Sequence, residues 1–264
     1  MIVDRALEVL RDRTHRQRMA DADYWDDRVR SRTGNARSVW HAASFNDAWN
    51  RRQVHVLDTA FGQLLGGVRG RDVLDVGCGT GRITLELQLM GAKAVGVDFS
   101  AAAVDAAAAE ASSIGTDVRY VVGDIAQPPL PFDDGSFDVA VAVGCLAVAC
   151  RDLASLERSL REMARVTRKT GAVVLLEPVH ASKLLGRVLR APVSAWVDVA
   201  QRAGLRLVVR QGMGFVPVRL ALSSFDLPPW VVRPIFGAGE AALDSVSPKR
   251  LADYTLLGFH RTDR

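Results

Sequence analysis

The chain is poor in cysteine and lysine and has no apolar run long enough to cross a bilayer. Its only cysteines are Cys78, Cys145 and Cys150. An odd number with no C-x-x-C pair argues against a disulfide framework and offers no zinc-ligand spacing, so buried, reduced thiols and no metal site are expected. Lysine is confined to Lys93, Lys169, Lys183 and Lys249, which leaves nearly all positive charge to arginine. The formal net charge is +4, and the arginines alternate with acids, as in Arg11-Asp12-Arg13 and Asp26-Asp27-Arg28. Such mixing describes a solvated surface rather than the cationic stripe of a nucleic-acid binder, so no nucleic-acid partner is expected. The apolar runs from Val139 to Ala149 and from Ala172 to Leu176 fall short of the ~20 residues a membrane helix needs. The first residues include Asp4, Arg5, Glu8 and Arg11, unlike a signal peptide. A cytoplasmic protein with no membrane span is the expectation.

What is present suits one sizeable core. The 264 residues are 48% hydrophobic, which fits a single domain with additions better than two full domains. Residues 3 to 20 and roughly 45 to 66 read as helices joined by a loop from Ser31 to Ser38. Strands and helices then alternate: strand 72–76, helix 81–90, strand 94–98, helix 101–113, strand 118–122 and strand 137–143. The alanine-rich helix from Ala101 takes Ser100 as its N-cap. Helix 152–168 follows, with Leu153, Leu156, Leu160, Met163 and Val166 on one apolar face. Next come strand 172–177, a helical stretch 182–203 broken at Pro192 and stopped by Gly204, and strand 205–211. Residues 212–250 read as irregular before a last strand from Tyr254 to His260. Alternation of this kind dictates a parallel sheet covered on both faces, with a ligand crevice at the carboxyl ends of the central strands.

The densest chemical signal is Val73-Leu74-Asp75-Val76-Gly77-Cys78-Gly79-Thr80-Gly81-Arg82, an apolar strand running into a glycine turn that opens a helix. Glycine at alternate positions lets the backbone turn sharply and bring N–H groups against a small ligand. The dinucleotide fingerprint G-x-G-x-x-G needs glycine where Arg82 stands, and no G-x-x-x-x-G-K-S/T phosphate loop occurs. What remains, Asp-x-Gly-x-Gly-x-Gly, resembles motif I of the class I S-adenosylmethionine-dependent methyltransferases. The resemblance implies an α/β, Rossmann-like seven-stranded sheet of order 3-2-1-4-5-7-6 with the last strand antiparallel, preceded by an N-terminal helical extension. It implies S-adenosyl-L-methionine as cofactor, with Asp75, Gly77, Cys78, Gly79, Thr80 and Gly81 at its methionine end. Residues 1–70 would then be a helical cap or lid, and 71–264 the catalytic domain with an acceptor-side cap at about 212–250.

Two further stretches carry the same resemblance. In Val95-Gly96-Val97-Asp98-Phe99-Ser100 an acid stands at the tip of the second strand, where a carboxylate can accept hydrogen bonds from ribose hydroxyls. The family pattern places Asp98 on the ribose and Phe99 against the adenosine; the alternative is that Asp98 only caps a helix with Ser100. In Tyr120-Val121-Val122-Gly123-Asp124-Ile125 the resemblance puts Asp124 on the adenine amino group and the Ile125 N–H on a ring nitrogen, against a plain loop acid. The string Leu130-Pro131-Phe132-Asp133-Asp134-Gly135-Ser136-Phe137-Asp138 is typical of small-molecule members, and its Asp-Asp-Gly is a turn.

The resemblance thins after the fourth strand. Gly144, which it implies is also at the cofactor, leads into Cys145-Leu146-Ala147-Val148, where many members carry leucine followed by Glu-His. No general base is visible there. Cys145, in its apolar setting, reads as a buried thiol rather than a nucleophile. His180, after Glu177-Pro178-Val179, is the best-placed titratable base, with an exposed loop histidine as the alternative; His41, beside Trp40, is the second candidate. Tyr24, Trp25, Trp40 and Trp49 form either a lid or the packing of the N-terminal helices. Phe215, Phe225, Trp230 and Phe236 suit an apolar or mixed pocket for a small organic acceptor. The expected function is in-line methyl transfer to such an acceptor, at oxygen, nitrogen or carbon. Two alternatives stay open. A nicotinamide oxidoreductase is disfavoured by Arg82 and by the lack of a Tyr-x-x-x-Lys pair, whereas a non-catalytic cofactor-binding protein is kept open by the missing Glu-His.

Overall fold

A computed structural model of the chain describes residues 19–31, 42–179, 189–223, 225–245 and 251–262. Helices α1 (Ala22–Ser31) and α2 (Ala43–Leu65) precede β1 (Asp72–Val76), α3 (Arg82–Leu89), β2 (Lys93–Asp98), α4 (Ala101–Ser113) and β3 (Arg119–Val122). Then come β4 (Phe137–Val143), α5 (Leu146–Ala149), α6 (Leu153–Val166), β5 (Thr167–Glu177), α7 (Val193–Arg202) and β6 (Leu205–Phe215). The described chain closes with α8 (Val216–Leu222), α9 (Pro229–Ser245) and β7 (Ala252–Arg261).

The strands form one seven-stranded sheet of order β3-β2-β1-β4-β5-β7-β6. Strands β1 to β5 pair parallel, and β7 runs antiparallel between β5 and β6. This is the order and direction that the resemblance implied. The chain turns one way from β1 to β2 and the other way to β4, so the carboxyl ends of β1, β2 and β4 flank the crevice of a doubly wound sheet. The antiparallel β7 brings its first residues, Ala252 to Tyr254, to that same edge.

Side-chain alternation along the strands separates two cores. Leu74, Val76, Ala140, Ala142, Val173, Leu175, Leu257 and Phe259 face α6 and α7, where Leu156, Leu160, Met163, Trp196 and Val199 are almost fully buried. Their neighbours Val73, Val139, Val141, Ala172, Val174, Leu176 and Leu256 face α2, α3 and α9. Phe45, Trp49, Val56 and Phe61 of α2 are each no more than 2% exposed, so this helix closes one face of the sheet. Of the apolar face expected in helix 152–168, only Leu153 is left exposed, at the first turn.

The structure differs from the sequence reading in several places, among them the short helix α5 and residues 189–192, which are not helical although they fall in the stretch 182–203 expected to be. Strand β5 begins at Thr167, so α6 ends at Val166 and the strand is longer than periodicity suggested. Residues 212–250 are not irregular: β6 continues to Phe215, and α8 and α9 follow. Their prolines misled, because Pro217 and Pro229 occupy the first turns of helices, where a missing N–H costs nothing; Pro234 lies inside α9. Helix α1 was also missed, and the helix expected from residue 3 lies almost wholly outside the described residues.

Candidate functional site

At the carboxyl edge of the sheet one pocket is lined by Asp75, Gly77, Cys78, Gly79, Thr80, Asp98, Phe99, Asp124, Ile125 and Gly144. The sequence had set all of these aside as cofactor residues. Gly81 lies outside the lining: it caps α3 with φ 84°, and a Cβ there would meet the Tyr120 hydroxyl at 2.5 Å. Its freedom from a side chain serves the packing of turn against β3.

The glycine turn is braced from within. The N–H groups of Gly77 and Cys78 both donate to the Val97 carbonyl, and Gly81 N–H donates to the Cys78 carbonyl. Gly77 has φ 71°, and a Cβ on it would overlap Cys145 Sγ. Gly79, with φ 55°, has nothing within 4 Å of a Cβ position, so it faces open pocket. Asp75 is 1% exposed and accepts from Thr84 Oγ1 at 2.7 Å, which ties β1 to the start of α3. Burial pushes its carboxyl up to about 6, while Thr84 and Arg82 pull it down. The turn thus offers fewer bare N–H groups than the sequence suggested, because its own bends consume them.

Asp98 and Asp124 stand at successive strand ends. Asp98 Oδ2 accepts from Gly79 N–H at 2.8 Å and Oδ1 from Ser100 N–H at 2.9 Å. Burial raises its pKa, and these N–H groups oppose the rise. The carboxylate therefore both locks the turn and borders the pocket. Ser100 caps α4 by accepting from Ala103 N–H at 3.1 Å, as expected from the sequence, and its hydroxyl donates to Asp26 of α1. Asp124 accepts from Ala126 N–H and from Gln127 Nε2, each at 2.8 Å.

The end of β4 is organised by a residue the sequence reading passed over. Glu177, at the end of β5, is fully buried and accepts from the N–H groups of Cys145 and Leu146 at 2.9 Å and of Ala147 at 3.1 Å. These are the first N–H groups of α5, so the carboxylate satisfies a helix start that would otherwise be open to a ligand. A glutamate followed by proline at a strand end was the available signal. Cys145, Val148 and Ala149 of this segment line the pocket. Burial and the nearby Glu177 carboxylate hold the Cys145 thiol well above its usual range, which leaves it protonated.

Helix α1 contributes Trp25 and Val29 to the lining, with Met19 just before it. Trp25 Nε1 donates to the Met19 carbonyl at 2.7 Å, and Asp21 pairs with Arg151 at 2.9 Å. Of the N-terminal aromatics, Trp25 borders the pocket and Trp49 is core, 2% exposed. His180, His41 and Trp40 lie outside the described residues. Of the aromatics expected around an acceptor, none lines this pocket: Phe225 and Trp230, the latter in the first turn of α9, are exposed, and Phe236 is core beside Trp49.

The donor set fits a nucleoside bearing a charged amino-acid tail. Carboxylates at three strand ends can meet an amino-acid ammonium, ribose hydroxyls and an adenine amino group, and the open face of Gly79 leaves room for the tail. No helix of the described residues is long and apolar enough to cross a membrane.

Comparison with known proteins places this geometry. The methyltransferase-domain family model matches residues 73–171. Demethylmenaquinone methyltransferase of Mycolicibacterium gilvum is 39% identical over 105 residues, 40% of this chain and 41% of the relative. The ubiquinone/menaquinone biosynthesis C-methyltransferase of Bdellovibrio bacteriovorus is 36% identical over 114 residues, 42% of this chain and 46% of the relative. The matches thus span less than half the length of these curated relatives. Magnesium protoporphyrin IX methyltransferase from Synechocystis shares the fold at TM-score 0.61 and 15% identity, over 91% of this chain and 97% of that one. Geranyl diphosphate C-methyltransferase from Streptomyces coelicolor does so at TM-score 0.56 and 18% identity, over 80% and 78%. With the glycine turn and the acids at the ends of β2 and β3, these matches identify residues 73–171 as a class I S-adenosylmethionine-dependent methyltransferase domain, and the seven-stranded sheet has the fold of the solved methyltransferases.

Proposed function

We propose that the protein transfers a methyl group from S-adenosylmethionine to a small organic acceptor whose reactive end enters an apolar space. The observation that carries this reading is the composition of the pocket beyond Gly144. Cys145, Val148 and Ala149 follow Gly144 in the lining, and Met19, Trp25 and Val29 at α1 add to its apolar part. The relatives point the same way, since they are named for a demethylated menaquinone, a porphyrin and an isoprenoid diphosphate. The solved porphyrin methyltransferase also carries bound SAH.

In this reading Asp98 accepts from the ribose hydroxyls, Asp124 from the adenine amino group, and Ile125 and Phe99 border the base. Gly79 and Thr80 lie under the amino-acid tail. When bound, the cofactor supplies a sulfonium methyl that is already electrophilic. The chain's work is then to hold the acceptor lone pair in line and to exclude water, and alignment of this kind can supply much of the acceleration. Asp75 meets the amino-acid ammonium and also anchors the turn to α3, while Glu177 acts indirectly by fixing the β4 end. His180 or His41 takes the acceptor proton if the acceptor is a hydroxyl; a His180→Ala variant then loses roughly 10²-fold in rate. Of residues 1–70, the part at α1 forms the cap over the pocket while α2 belongs to the core of the domain of residues 71–264, with about 212–250 on the acceptor side. The protein acts without nucleic acid and in the cytoplasm.

The test joins binding and turnover. S-adenosylmethionine or S-adenosylhomocysteine should raise the melting temperature while NAD(H) does not, since a ligand that binds only the native state stabilises it. Labelled methyl from the cofactor should then appear in a compound of a metabolite extract. A shift with NAD(H) alone overturns the reading, and cofactor binding without any labelled product makes the protein a binding module.

A further inference from the structure

The pocket wall holds three carboxylates, Asp75, Asp98 and Asp124, and Arg82 is the one cation among its described lining residues. An amino-acid tail lying on the glycine turn brings its own carboxylate close to Asp75 and Asp98, which repel it. The turn offers little relief, because Gly77, Cys78, Gly79 and Gly81 have all spent their N–H groups on Val97, Asp98 and Cys78. Arg82 is the first residue of α3, directly after that turn. Its Nη2 donates to Gln53 Oε1 at 2.8 Å, and Gln53 is held on α2 at 3% exposure. Its Nη1 is buried and has no hydrogen-bond acceptor among the described residues.

A buried charged donor left unmatched is costly, whereas a guanidinium offers donors in a fixed plane that suits a carboxylate. Asp75, Tyr254 and Glu86 favour the charged form of Arg82 against the penalty of burial, without accepting from Nη1. One edge of the guanidinium is therefore fixed by protein and the other is waiting for an anion.

We propose that Arg82 is the carboxylate-binding residue of the cofactor site, receiving the amino-acid carboxylate of S-adenosylmethionine while Gln53 keeps the guanidinium in place. This rests on the cofactor reading given above. The residue that breaks the dinucleotide fingerprint thereby selects for the amino-acid tail, and Gln53 is a positioning residue acting through it.

The test is calorimetric titration of the full chain, as wild type, Arg82→Met, Arg82→Lys and Gln53→Leu, with three ligands. These are S-adenosylmethionine, its decarboxylated form, and 5′-methylthioadenosine, which lacks the amino-acid tail. Wild type should bind S-adenosylmethionine about 10- to 100-fold more tightly than the decarboxylated form, the range of a charge-assisted hydrogen bond. In Arg82→Met that ratio should fall close to one, through loss of affinity for the carboxylated ligand alone; Arg82→Lys and Gln53→Leu should fall between. Equal affinity of all four proteins for methylthioadenosine shows that the nucleoside half is intact. Should Arg82→Met lose methylthioadenosine as well, the ratios of the two milder variants decide. An unchanged ratio with methylthioadenosine still bound overturns the proposal alone and leaves an acidic acceptor as the partner of Arg82. Failure of wild type to bind any of the three overturns the cofactor reading, and this inference with it.

Discussion

Replacing Glu177 by glutamine tests how the β4 end of the pocket is built. The carboxylate is fully buried, and three N–H groups converge on it, two on Oε1 and one on Oε2. Glutamine can keep Cys145 and Leu146 on its amide oxygen, but its NH₂ then faces the Ala147 N–H, donor against donor. One charge-assisted hydrogen bond is lost outright, at about 1.5–3 kcal/mol, and the other two weaken to neutral ones. A total near 3 kcal/mol follows. For a chain of this size about 2–4 °C of melting temperature accompanies each kcal/mol, so the midpoint should drop by roughly 6–12 °C. Scanning calorimetry on wild type and Glu177→Gln at pH 7 reads this directly. Cofactor affinity should fall too, since Cys145 and Val148 follow the segment that the carboxylate orients. A midpoint within about 2 °C of wild type would refute the reasoning, because it would mean that the three bonds are replaced at little cost.

Asp75 gives a pH signature: its folded pKa, raised by burial from 3.8 to about 6, means the native state holds a proton that the unfolded state has released. The associated stability is fully present below about pH 4 and lost as pH rises through about 6, an effect on the order of 3 kcal/mol; denaturant unfolding of wild type should show this slope and Asp75→Asn should lack it, so parallel profiles would count against it. Gly79→Ala should cost only about 1 kcal/mol, for a non-glycine residue at positive φ, yet abolish the thermal shift given by the cofactor, because its methyl fills open pocket. Gly77→Ala should melt well below Gly79→Ala, since its Cβ would lie 2.6 Å from Cys145 Cβ; equal melting temperatures would contradict the packing. Asp98→Ala should weaken cofactor binding more than Asp124→Ala, because the first also releases Gly79 of the turn; calorimetry giving equal affinities for wild type and Asp98→Ala would show the ribose site to be elsewhere.

Legibility in the sequence followed how local the determining interactions are. The alternation of strand and helix, the Ser100 cap and the bounds of β1, β4 and α4 depend on neighbours a few residues away, so they could be read directly. The order of the sheet could not be derived from pattern; it came from the resemblance carried by Asp75 to Gly81, Asp98 and Asp124, whose spacing reflects strand ends meeting at one edge. Helices α8 and α9 were hidden because proline at a first turn looks like a breaker until the helix is seen.

Only the tertiary structure decided how the pocket's charges are spent. The sequence determined that a glycine turn and three acids stand at strand ends. It could not show that the turn's N–H groups are consumed by Val97 and Asp98, since those bonds join β1 to β2 across the sheet. Nor could it show that Glu177 holds the start of α5 from the neighbouring strand, or that Arg82 meets Gln53 from a helix 29 residues earlier. Each of these joins groups far apart in sequence, and burial gives them their energetic weight. Burial is a property of the folded chain, which the order of residues fixes but does not display.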